Sequence, residues 1–261
     1  MKIDLSNKIA FVTGSSSGIG QAIALELGRA GARVAVHYRG NHAGAKKTFA
    51  ELQALGAPDP LIVQGDVSSP EDLAKCFTAI DQELGPLDIF INNAGLDGKK
   101  ENMAEGNLAT FEKVIAVNLK GGYCGMQEAL QRMVPRKKGV ILSITSVHEK
   151  IPWAGQAAYC ASKAGVALLT QSLALELGDC GVRVLNLAPG AIKTAINKDV
   201  WQDPEQRADL LQKIPQGRLG TVKEIAEIAT FLVSEQAGYI HGTTIFADGA
   251  MTAFPSFSKG G

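Results

Sequence analysis

The chain has 261 residues, 46% apolar and 20% charged, enough to close one substantial hydrophobic core. Lys plus Arg and Asp plus Glu stand at 26 each, so no global field draws the chain to nucleic acid or to an anionic membrane. Cys76, Cys124, Cys160 and Cys180 make no Cys-x-x-Cys pair, the four histidines form no ligand set, and no long apolar run occurs. A disulfide scaffold, a metal site and a membrane span are therefore excluded as expectations, and a soluble cytoplasmic protein is expected.

An apolar strand over 9–13 leads into Thr13-Gly14-Ser15-Ser16-Ser17-Gly18-Ile19-Gly20 and then a helix over 19–28, with Ile23 and Leu27 on one face. A strand over 33–38, a helix over 43–55, a strand over 61–64 and a helix over 71–83 follow. Next come a strand over 87–91, a long helix around 108–132, a strand over 140–144 and a helix over 156–178. A strand over 182–187, a helix over 222–234 and a short strand near 244–246 complete the chain. The strands are apolar throughout rather than alternating, the pattern of a parallel sheet covered on both faces. No composition break divides residues 1–261, so the expected fold is one doubly wound α/β domain of Rossmann type. A TIM barrel alternates similarly, but the glycine-rich first turn argues against it. Between 190 and 220, prolines surround a short polar helical piece that reads as a small lid over the site.

Gly14, Gly18 and Gly20 stand where a strand opens into a helix. There glycine permits close approach to a pyrophosphate and the helix N-terminus favours the anion. The spacing Gly-x-x-x-Gly-x-Gly departs from the commoner Gly-x-Gly-x-x-Gly. Ser15 and Ser17 can offer hydroxyls to phosphate or ribose, and Ile19 lies within the same turn. Arg39 closes the second strand where an acid would repel a 2′-phosphate, so NADP is accepted; the missing acid does not exclude NAD. Asp66, followed by Val67, stands where a carboxylate can accept from the adenine amino group. Asn93, Ala94 and Gly95 end the fourth strand with small groups that suit a ribose.

Tyr159 and Lys163 lie one helical turn apart on one face, where an ammonium favours the phenolate and so a proton acceptor. Ser146 lies just past the fifth strand, on the carboxyl side that faces a ligand crevice, and can orient a substrate oxygen. Lys163 can also hold the nicotinamide ribose. Asn118, in mid-helix among apolar residues, is either a satisfied core amide or the holder of a water that links Lys163 to solvent. Pro189 and Gly190, with Ile192 and Thr194 beyond them, would line a nicotinamide pocket. Cys160 beside Tyr159 has no base signature and reads as a small buried hydrophobe.

These residues resemble the short-chain dehydrogenase/reductase family: the turn over 13–20, Asn92-Asn93-Ala94-Gly95, Asn118, Ser146, Tyr159-x-x-x-Lys163 and Pro189-Gly190. Within it the chain is most similar to the bacterial glucose 1-dehydrogenases, through the runs 146–153, 189–192, 203–209 and the tail from Phe246 to Phe257. The resemblance implies oxidation of β-D-glucose at C1 to the 1,5-lactone with NAD or NADP, by a homotetramer. It makes Asn118, Ser146, Tyr159 and Lys163 catalytic, and it puts Asp97, His148 and Asn197 beside the sugar. Phe254 and Phe257 would then reach either a subunit interface or their own subunit. Asp97 stands where these enzymes often carry glutamate, and Ala195 and Ala250 replace commoner proline and glycine. The rival expectation is an NADPH-dependent 3-oxoacyl-carrier-protein or other carbonyl reductase. It would use Lys99, Lys100, Arg136, Lys137 and Lys138 as a basic patch for an acidic carrier. A third reading is a catalytically silent dinucleotide-binding protein.

Overall fold

The computed structural model describes residues 3–194 and 201–253. Seven parallel strands form one sheet: β1 (Ile9–Val12), β2 (Arg33–Tyr38), β3 (Leu61–Gln64), β4 (Ile89–Asn92), β5 (Gly139–Ile144), β6 (Val182–Pro189) and, after a further short pair, β9 (Thr244–Ala247). Their order is β3-β2-β1-β4-β5-β6-β9, so the chain winds outward in one direction from β1 to β3 and in the other from β4 to β9. Val12 sits opposite both Val36 and Ile91 in the register, and the connections leave the carboxyl ends of β1 and β4 in opposite directions. That divergence opens a crevice at the switch point of the sheet.

Helices cover both faces, as the uninterrupted apolar strands require. On one face α1 (Gly18–Arg29) buries Ile23, Ala24 and Leu27 against the sheet beside α2 (His42–Ala54) and α8 (Val222–Val233). On the other, α3 (Pro70–Glu83), α5 (Gly121–Met133) and α6 (Ala157–Glu176) close over Phe11, Phe77 and Phe90. Those three rings lie 5.1–5.6 Å apart between centroids and are fully buried. Each contributes roughly 1.5–3 kcal/mol by leaving water. Local chemistry starts the helices: Ser69 caps α3 ahead of Pro70, and Thr221 and Glu224 close a reciprocal capping box on α8.

Two features differ from the sequence reading. The long helix expected around 108–132 is α4 (Leu108–Val114), a π-helical stretch over Ile115–Lys120, and α5 in continuous succession. The wider turn puts Asn118 inside the protein, where its amide bonds a neighbouring main chain; hydrophobic spacing does not register such a turn. Within the expected lid, β7 (Ile192–Lys193) and β8 (Gly220–Thr221) pair in parallel and carry α7 (Pro204–Gln212) between them. Two-residue strands are too short for any periodicity to reveal. Helix α7 buries none of its residues, as suits a cover held at its base.

Candidate active site

The carboxyl ends of β1 and β4 are bolted together. The Thr13 hydroxyl accepts from the amides of Asn93 and Ala94 at 2.9 and 3.0 Å, and the Asn93 side chain donates to the Thr13 carbonyl at 2.8 Å. Gly14 turns with φ +66°, and a Cβ on Gly20 would stand 2.4 Å from the Asn93 amide and 2.5 Å from the Gly14 carbonyl. The turn therefore lies tight against the opening of α1. Ser17, the N-cap of α1, makes no capping bond, and the first turn holds no acid, so the helix amides are open to an anion. This cradle fits the diphosphate of a dinucleotide.

Ser15 departs from expectation. Its buried hydroxyl donates to the Val12 carbonyl and accepts from the His37 amide, both at 2.8 Å, so it pins β1 to β2 instead of facing a ligand. Ser16, which sequence reasoning missed, lines the cleft with Ser17. His37 adds a second pin through Nδ1, which accepts from the Gly14 amide at 3.0 Å. Burial pulls its imidazole down to about 4, against weaker opposing effects of the Gly65 carbonyl and Asp66, so the ring is neutral near pH 7.

Arg39 and Asp66 face each other across the nucleotide end at 3.5 Å. Burial pushes the Asp66 carboxyl up, but hydrogen bonds from Ser68 and the Arg39 charge outweigh it and hold the group below its ordinary range. Val67, Ala94, Gly95, Pro189, Gly190, Ile192 and Thr194 line the same cleft farther along.

At the chemical end Tyr159 lies in the first turn of α6 and Lys163 one turn later. Burial pushes the Tyr159 phenol up to about 12; a hydrogen bond with Ser146 pulls back and the charge of Asp97 adds to the rise. The Lys163 ammonium, pulled down to about 8 by burial against the opposing pull of Asp97 and Glu149, donates to the Ile144 carbonyl at 2.8 Å. Its nitrogen stands 5.8 Å from the centre of the Tyr159 ring. In the protein alone, burial thus outweighs the phenolate-favouring effect expected from the ammonium. Asn118 spends both amide donors, on the Leu96 carbonyl at 2.9 Å and Ser162 at 3.0 Å, while its oxygen accepts from the Leu96 amide at 2.9 Å. The satisfied-amide alternative describes this side chain, which ties the loop after β4 to α6.

The mouth is built from loops. His148 donates from Nδ1 to the Ile151 carbonyl at 3.0 Å, because a carbonyl can only accept, and this leaves Nε2 as the ring's one acceptor. Burial keeps the ring below its ordinary pKa, although the Ile151 carbonyl and Asp97 oppose this. Trp153 stacks on His148 with centroids 4.6 Å apart and meets Tyr159 edge-on at 6.2 Å. Sequence reasoning assigned Trp153 no role of its own, only a place in the run 146–153. Asp97, Lys100, Leu210 of α7 and Met251 also line the cleft. Asn197, Phe254 and Phe257 lie outside the described residues.

The proposed basic patch does not assemble. Arg136 and Lys138 pair with Asp88 at 2.7 and 3.4 Å, at the amino ends of β4 and β5, across the sheet from the cleft. Lys137, between them in sequence, follows the same turn into β5. Lys99 pairs with Glu101 at 3.9 Å, which leaves Lys100 as the patch member that lines the cleft.

One cleft of about 1150 Å³ runs from the glycine turn to this mouth. Residues 14–252 match the family model described as Enoyl-(Acyl carrier protein) reductase. The chain is 42% identical to 3beta-hydroxysteroid dehydrogenase 1 of Eggerthella lenta over 258 residues, covering 98% of each chain. It is 39% identical to Glucose 1-dehydrogenase 2 of Bacillus subtilis over 254 residues, covering 97% of this chain and 98% of the relative. A solved structure of a putative 2-deoxy-d-gluconate 3-dehydrogenase from Agrobacterium tumefaciens, with bound NADP, superposes with a TM-score of 0.88 at 30% identity, covering 97% of this chain and 99% of that one. The chain belongs to the short-chain dehydrogenase/reductase family of NAD(P)-dependent oxidoreductases. Among the described residues, no helix is long and apolar enough to cross a membrane.

Proposed function

We propose that the protein oxidises an aldose, β-D-glucose first among them, at C1 to the 1,5-lactone, with NADP or NAD bound along the cleft. The observation that carries this reading is the stacked Trp153–His148 wall beside the Ser146–Tyr159–Lys163 group. An indole face suits the C–H face of a pyranose, and His148 Nε2 and Asp97 can accept from its hydroxyls. The likeness to Glucose 1-dehydrogenase 2 supports the same substrate.

When bound, the cofactor supplies a hydride acceptor at C4 of its nicotinamide. Gly14, Ser17, Gly18, Ile19 and Gly20 with the α1 amides hold the diphosphate. Asp66, Val67 and Asn93-Ala94-Gly95 take the adenosine, and Arg39 takes a 2′-phosphate. Pro189, Gly190, Ile192 and Thr194 wall the nicotinamide, and Lys163 reaches its ribose. Ser146 orients the C1 hydroxyl, Tyr159 takes its proton, and Asn118 keeps α6 in register with the loop after β4. Because burial favours the protonated phenol, oxidation speeds up as pH rises toward the Tyr159 range, whereas the reverse reduction uses the phenol as donor and is favoured nearer neutrality.

A homotetramer accompanies this reading. Tyr123, Leu168 and Leu175 expose large apolar side chains on α5 and α6, which suits burial between copies, and sedimentation velocity reads the mass directly.

A second reading is oxidation of a 3β-hydroxysteroid, favoured by the 42% identity to the Eggerthella lenta enzyme and by the apolar lining of Trp153, Leu210 and Met251. The carrier-protein reading loses its main support, since Arg136 and Lys138 are spent on Asp88 at the opposite end of the strands. Steady-state assays of aldoses, a 3β-hydroxysteroid and an acetoacetyl thioester, each with both cofactors, separate the three. Aldose oxidation is expected; steroid or thioester turnover without any aldose turnover overturns the sugar reading.

A further inference from the structure

The guanidinium of Arg39 and the carboxylate of Asp66 are the groups read above as holding a 2′-phosphate and the adenine amino group, and here they hold each other. Strands β2 and β3 run side by side with Tyr38 opposite Gln64, so the residues just beyond them emerge together. Gln64 fixes both neighbours: its oxygen accepts from the Tyr38 hydroxyl at 3.1 Å and its amide donates to the Arg39 carbonyl at 3.1 Å. Asp66 Oδ1 is occupied by the Ser68 amide at 2.9 Å and the Ser68 hydroxyl at 2.7 Å. Oδ2 is left to meet Arg39 Nη1 at 3.5 Å. Both side chains line the cleft.

We propose that Asp66 sets the choice between NADP and NAD by competing with the 2′-phosphate for Arg39, an inference that rests on the dinucleotide reading above. A 2′-phosphate gains the guanidinium only by drawing it off Asp66. A 2′-hydroxyl makes no such demand, so Arg39 stays paired when NAD is held. The net advantage of NADP is then the difference between two charge-assisted contacts of one arginine. Such a difference permits dual use of the cofactors where an unopposed arginine would commit the site to NADP. Arg39 has its side chain 58% exposed, so the competing pair is weak and its release shifts selectivity by about 3–5-fold.

The test uses calorimetric titration of the full chain with 5′-AMP and with 2′,5′-ADP, which differ only in the 2′-phosphate. The proteins are the wild type, Asp66→Asn, Arg39→Met and the double variant. Asparagine keeps the oxygen that Ser68 holds and removes the charge that Arg39 meets. Asp66→Asn is expected to raise the affinity ratio of 2′,5′-ADP over 5′-AMP by about 3–5-fold in the presence of Arg39, and by less than about 1.5-fold in the Arg39→Met background. A circular-dichroism spectrum and a melting temperature matching the wild type show that each variant is folded. The ratio cancels any common loss of adenine affinity, because both nucleotides carry the same base. An unchanged ratio in Asp66→Asn overturns the proposal. An equal rise in both backgrounds also overturns it, since Asp66 would then act on the phosphate directly. Failure of the wild type to bind either nucleotide removes the dinucleotide reading itself, and this inference with it.

Discussion

The glycine turn and the mouth lie at opposite ends of one cleft and are held in opposite ways. At the turn, Thr13, Ser15, Asn93 and His37 spend buried hydrogen bonds tying three strand ends together, and an added Cβ on Gly20 has nowhere to go. At the mouth, one main-chain bond from Glu101 to the Gly155 carbonyl, at 3.0 Å, joins the two loops, and α7 buries nothing. On the proposed reading, the rigid strand ends hold the cofactor and the proton-transfer group. The loops are free to differ, and the same reading puts substrate choice there. Trp153 and Tyr159 touch across the boundary, which is why the two ends can be separated by substitution.

The largest effect is expected at that boundary. Tyr159→Phe removes the proton acceptor and should lower kcat by about 10³-fold while the dissociation constant of the cofactor moves little. Comparable turnover in the variant would move proton transfer to another group.

His37 gives the glycine turn an acid weakness. Its folded pKa of about 4 lies below the ordinary 6.5, so between those values the unfolded chain binds the proton and the folded chain does not. Stability from this group is complete above pH 6.5 and is lost as pH falls toward 4, by about 3 kcal/mol in all. His37→Asn should flatten that part of the melting-temperature profile. An equally steep acid decline in the variant would assign the loss to other groups.

Trp153→Ala tests the mouth alone. The KM for the sugar should rise about tenfold with cofactor affinity unchanged, because only the stacking wall is lost. A matching loss of cofactor affinity would mean that the two ends are not separable.

The smallest effect is expected at Ala250, whose φ of +72° lies in the left-handed region that favours glycine. Ala250→Gly should stabilise the protein by about 1 kcal/mol, read as a rise in melting temperature of a few degrees. No rise would mean that the freedom glycine adds to the unfolded chain cancels the relief.

The main strand and helix pattern was readable because both faces of the seven-stranded sheet are covered, which makes its strands apolar runs and the helices packed on it periodic. The positions of Gly14, Gly20, Tyr159 and Lys163 were readable because a turn and a helical repeat are local geometries. Ser15 was misread as a ligand contact because a hydroxyl looks the same in sequence whether it faces a cleft or the strand behind it. Arg136 and Lys138 were grouped with Lys100 by charge alone, and only the sheet shows that they stand at the amino ends of its strands, away from the cleft at the carboxyl ends. The π-helical turn at Asn118 escaped detection because one extra residue per turn hardly disturbs apolar spacing.

By itself, then, the amino-acid order determined a doubly wound parallel sheet, a glycine-lined strand-to-helix turn and a tyrosine–lysine pair on one helix face. These follow from periodicity and from what glycine alone permits. Tertiary structure alone decided that Trp153 walls the mouth, that Asp66 holds Arg39, and that burial pushes the Tyr159 phenol up. Each of those depends on groups brought together from distant or separately folded segments, and on how much water the surrounding chain displaces.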